Sequence, residues 1–120
     1  MEQHLNSSGE NRLKKDLPWH LSARLSELVE AKLLTEEFKR ILALRMGLED
    51  GNCYTLNEVA KILSRSPEWI RGRQHFALKT CTQDPTFHRL LSEYDRMVKL
   101  PRGLTYYLYR YPSERENLSR

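Results

Sequence analysis

The sequence predicts an all-α fold: a small helical bundle containing a helix-turn-helix, followed by an extended, tyrosine-rich arm. Three observations predict it. Leu, Glu, Lys and Arg are abundant, whereas Gly and Pro number 5 each in 120 residues. Apolar residues recur at three- and four-residue spacing along most of the chain. Helix-start signals, a Ser, Thr or Asp followed by Glu or Pro, separate these stretches. The length suits one ordinary domain, or one domain with tails.

Residues 1–16 (MEQHLNSSGENRLKKD) hold no apolar stretch. They read as a disordered polar leader, neither signal peptide nor membrane span. From Trp19 to Leu33, Leu21, Leu25, Leu28, Val29 and Leu33 recur at helical spacing. Thr35 is a good N-cap, and Glu36 and Glu37 suit the first turn of a helix dipole. Phe38, Ile41, Leu42 and Arg45 then share a face, and Gly47 stands where a C-cap falls. Thr55 with Glu58 is a capping box, so a third helix starts there. Ser66 caps a fourth helix with Pro67 at its first position, where a missing N–H costs nothing. Asp84 and Pro85 repeat that start for a fifth helix carrying Phe87, Leu90, Leu91, Tyr94 and, at its end, Met97 and Val98. The helical domain is expected to span residues 17–99. After Pro101, "LTYYLYRYP" is rich in β-formers and reads as a strand or extended arm. The arm between Tyr106 and Tyr111 then packs on the helices, stacks on bases or meets a protein partner. A polar tail follows to residue 120.

Residues 55–80 fit a helix-turn-helix. Its two helices cross closely, so the first needs a small residue at the crossing, here Ala60. Ser64 occupies the turn four residues later, and Ile70, ten residues after Ala60, faces back into the core beside Val59 and Leu63. The competing reading is an αα-hairpin without a nucleic-acid role. If the motif reads DNA, the exposed candidates are Arg65, Ser66, Glu68, Trp69, Arg71, Gly72, Arg73, His75 and Lys79. Glu accepts from cytosine, Arg forks onto guanine, and Arg65, Arg73 and Lys79 reach phosphates. Trp69 is either a packing aromatic or a contact to a thymine methyl or a partner.

The charge is uneven. Net charge is +4, yet residues 1–53 carry 8 basic and 9 acidic groups, whereas residues 54–120 carry 12 and 7. The positive excess therefore coincides with the motif, as a polyanion-facing surface or as a solvated basic face. The two cysteines, Cys53 and Cys81, form no CxxC and fit a reducing, cytoplasmic setting. His20, His75 and His88 are scattered, so no metal site is expected, and no catalytic set or cofactor motif points to an enzyme.

The run from Leu34 to Cys81 resembles region four of bacterial housekeeping-class sigma factors. The resemblance rests on Leu34-Thr35-Glu36, on Leu44-Arg45-Met46-Gly47-Leu48, and on Thr55-Leu56-Asn57-Glu58-Val59. In the recognition helix, Glu68, Ile70, Arg71, Ala77, Leu78 and Lys79 match. "LSARLSELVEAKL" and "DPTFHRLLSEY" extend it over residues 21–95. The resemblance implies two partners: double-stranded promoter DNA, read at the −35 element, and the flap of the RNA polymerase β subunit. Flap docking is then expected through Phe38, Ile41, Leu44, Met46 and Leu48. The chain departs from the pattern at Pro67 (family arginine), Gly72 (glutamine), Arg73 (isoleucine) and Gln74 (glutamate). Nothing resembles region two, which melts promoter DNA. Two readings follow: a sigma-like transcription factor that contacts DNA, or a polymerase-docking protein, competitor or half of a split sigma factor, with little DNA reading.

Overall fold

The computed structural model describes residues 2–110, with side chains from Asp16 to Leu108 except that of Arg102. Six α-helices follow in order: α1 Glu2–Glu30, α2 Glu36–Met46, α3 Leu56–Leu63, α4 Pro67–Cys81, α5 Pro85–Val98 and α6 Arg102–Arg110. There is no strand among the described residues, so the all-α expectation holds.

Two expectations at the chain ends are corrected. Residues 2–16, expected to be a disordered leader, are helical backbone that runs through Pro18 into the rest of α1. Arg12, Leu13, Lys14 and Lys15 are good helix formers, and propagation is easy once a packed turn exists. That packed turn is supplied by Leu17, Leu21 and Leu25, all buried. The expected extended arm is α6, at least as far as Arg110. Leu104, Tyr107 and Leu108 lie three and four residues apart and are all buried, so burial on one helical face overrides the β-propensity of tyrosine. Tyr111 and the polar tail lie outside the described residues.

The local signals work as read. Thr55 accepts from the Glu58 N–H at 3.1 Å while Glu58 accepts from the Thr55 N–H at 2.8 Å. Thr35, Ser66 and Asp84 cap α2, α4 and α5 by accepting from Phe38, Trp69 and Phe87. Gly47 takes φ 74° past α2; a Cβ there would lie 3.2 Å from the backbone of Gly51 and Asn52, so glycine is required twice over. Leu33 lies beyond the end of α1 and is exposed, as are Met97 and Val98 at the end of α5.

The core has two parts. The larger cluster joins α1, α5, α6 and one side of α2 and α4, around Leu21, Leu25, Leu42, Met46, Leu78, Phe87 and Leu91. The smaller holds Ile41, Leu44, Val59, Ala60 and Ile70, where α2, α3 and α4 meet. Helix α2 is therefore covered on two sides. Arg24 forks onto Asp84 at 2.9 and 2.6 Å, tying α1 to the cap of α5. The Tyr94 hydroxyl donates to the Met46 carbonyl at 3.0 Å, tying α5 to α2.

Candidate nucleic-acid and partner-binding face of the fourth helix

The turn between α3 and α4 is built by Ser64 in the left-handed region, φ 56°. The Arg65 N–H donates to the Ala60 carbonyl at 2.9 Å, closing the end of α3. Ala60 and Ile70 are buried in one cluster, as the crossing requires. Ile70, Gln74, Ala77, Leu78 and Cys81 form the inner face of α4.

The inner face also holds a buried charge. Arg45 on α2 donates through Nε to the Gln74 carbonyl oxygen at 2.6 Å and through Nη1 to the Tyr54 carbonyl at 2.9 Å. Burial lowers its guanidinium pKa. The two neutral acceptors satisfy its geometry, but no carboxylate balances its charge. Gln74 thus links α2 to α4 where the resembled family has glutamate.

Two rows of side chains point outward from α4. The first is Glu68, Gly72, His75 and Lys79, all exposed and opposite the buried face. Arg71 lies exposed beside it. The second row is Trp69, Arg73 and Phe76, which together with Phe38 of α2, Glu68 and Gly72 lines a groove of about 390 Å³. Phe38 and Phe76 meet with ring centroids 5.7 Å apart. Arg65 and Arg73, four residues before and after Trp69, hold their guanidinium carbons 4.6 and 4.7 Å from its ring centre. Trp69 is half-buried, packing on the small cluster with one edge and lining the groove with another. Both readings of that residue are therefore partly right.

The sequence-predicted DNA set thus divides. Arg65, Glu68, Arg71, Arg73, His75 and Lys79 are exposed. Ser66 is exposed but its hydroxyl already accepts the Trp69 N–H at 3.2 Å. His75 is hydrogen-bonded by the Tyr107 hydroxyl of α6, which lies 2.6 Å from Nε2. Among the described residues, Arg65, Arg71, Arg73 and Lys79 make no ion pair with a carboxylate.

The predicted docking set is corrected. Ile41, Leu44 and Met46 are 0%, 4% and 0% exposed, so they are core residues and present no surface to a partner. The reason is that α2 lies between both clusters. Phe38 and Leu48 are partly open. The Phe38–Phe76 contact was missed because no local signal joins residues so far apart in the chain.

Gly72 has no structural reason to be glycine. A Cβ there meets nothing within 4 Å, and its φ is not positive. A mid-helix glycine costs up to about 1 kcal/mol relative to alanine. Cys81 is buried, which pushes its thiol up to about 12, far from reactive thiolate character. Cys53 is exposed. No helix among the described residues is long and apolar enough to cross a membrane. Comparison with family models, with curated proteins and with solved structures gives no match.

Proposed function

We propose that this protein is a transcription factor similar to sigma region four, contacting duplex promoter DNA through α4 and binding RNA polymerase at its β flap. One observation carries the reading. An α3–turn–α4 unit with the Ala60–Ile70 crossing presents Arg65, Arg71, Arg73 and Lys79 exposed and without carboxylate partners. Lys79 and Arg71 flank the outer row and suit phosphates and a guanine edge; Glu68 suits a cytosine amine. Polymerase contact through α2 falls to Phe38 and Leu48, since the rest of the expected set is buried.

The alternative, a polymerase-docking protein with little base reading, is favoured by Pro67 and Gly72 standing where base-reading side chains are expected, and by the aromatic second row. Salt dependence separates the two. Affinity for a duplex should fall steeply with salt, and the combined Arg71→Ala and Lys79→Ala change should reduce the log–log slope by about 2, roughly one per lost phosphate contact. An unchanged slope removes α4 as the duplex contact and leaves the docking reading.

A further inference from the structure

The second row of α4 has a chemistry unlike the first. Phe76 is 60% exposed, and Phe38 and Trp69 are partly open beside it. These three rings leave apolar surface in water on a helix otherwise rich in cations. Aromatic side chains and arginines gathered around a concavity are the composition of a protein-binding centre rather than of a phosphate-tracking face. A duplex would supply anions for Arg65 and Arg73 but no apolar group large enough to cover Phe38 and Phe76. A ligand that satisfies all of these groups carries carboxylates and an apolar side chain together.

Gly72 adds an independent observation. It lies in the groove wall, with open space where a Cβ would be. The fold makes no use of its missing side chain. A partner's backbone or ring lying flat on α4 does.

We infer that the groove between α2 and α4 binds an acidic, amphipathic peptide segment of a protein partner. Its aromatic or leucine side chain seats between Phe38 and Phe76. Its carboxylates fork onto Arg65 and Arg73, which the indole of Trp69 holds in place. Its backbone approaches over Gly72. Of the lining residues only Glu68 is acidic, and it lies at the side shared with the outer row, so it sets the direction in which the peptide's carboxylates lie. The inference goes beyond the duplex reading and does not depend on it, because Arg71 and Lys79 take no part in the groove.

The test is a random 16-residue peptide library displayed on phage and selected against the full chain. Enriched peptides are expected to be net negative and to contain an aromatic or leucine residue. Their synthetic versions should bind at least tenfold more weakly to Phe76→Ala and to Arg73→Glu. Both positions are exposed, so these variants keep the fold, which circular dichroism verifies. Gly72→Ala should weaken peptide binding while raising the melting temperature. Arg71→Ala with Lys79→Ala should leave peptide binding within twofold, whatever it does to duplex binding. The inference is overturned by a failure to enrich, by enriched peptides without acidic residues, or by equal binding to Phe76→Ala. It is also overturned if a thymine oligonucleotide, and not the peptide, depends on Phe76.

Discussion

The two parts of the core differ in how they are held. The larger cluster contains 18 buried residues from five helices and is braced by the Arg24–Asp84 fork and the Tyr94–Met46 bond. The smaller contains 5, and leans on local devices: the Thr55–Glu58 box, the Ser66 cap and the Ser64 turn. Apolar burial scales with area, so the first is the anchor and the second the more easily opened unit. The exposed cations of α4 belong to the second. A binding surface is thus carried by the part of the molecule with the least apolar support, while α4 itself is fixed to the anchor through Ala77, Leu78 and Cys81.

Core truncations give the largest test of that contrast. Phe87→Ala should cost about 3–5 kcal/mol and reduce stability everywhere. Ile70→Ala should cost about 2–4 kcal/mol, and native-state hydrogen exchange should show α3 amides released first. Equal protection of α3 and α5 in the unmodified protein would break the contrast.

Next in size is the brace. Burial works to raise the Asp84 pKa, but the Arg24 hydrogen bond, the Phe87 N–H and the Arg24 charge outweigh it and hold the carboxyl below its usual value. A depressed folded pKa contributes stability that is full above the unfolded value near ~4 and is lost as pH falls through the lower, folded one. Asp84→Asn keeps a good cap and removes the charge, so it isolates the ion pair. It should cost about 1–2 kcal/mol at neutral pH and flatten the acid limb of the stability curve, measured by denaturant titration at several pH values.

The smallest effect sharpens the contrast from the other side. Ser64 holds a left-handed conformation that favours glycine. Ser64→Gly should raise stability by about 0.5–1 kcal/mol, read as a shift of the urea midpoint, with the gain concentrated in α3 exchange. A loss instead would mean that the hydroxyl supports the turn.

These regions also differ in how legible they are in sequence. The start of α3, the turn and the start of α4 are written in residues within four of one another, because caps and turns are local chemistry. The brace joins residues 60 apart, and no pattern in one chain reports such a pairing. Helix α2 shows the same limit. Its spacing announces a helix, but whether Ile41, Leu44 and Met46 face a partner or the interior depends on both α4 and α5 packing against it. The tyrosine run was misread because its composition argues for strand, while Leu104, Tyr107 and Leu108 have a helical burial spacing that only α5 and α4 make worthwhile.

The indole of Trp69 beneath two guanidiniums has an entropic consequence. A free arginine carries about 2 kcal/mol of rotamer entropy, much of which is lost when it grips an anion. Arg65 and Arg73 have already given up part of that freedom to the ring. An anion arriving at this face, phosphate or carboxylate, orders less of the protein than it would at a lysine patch of equal charge. Replacing either arginine by lysine would keep the charge and discard the head start.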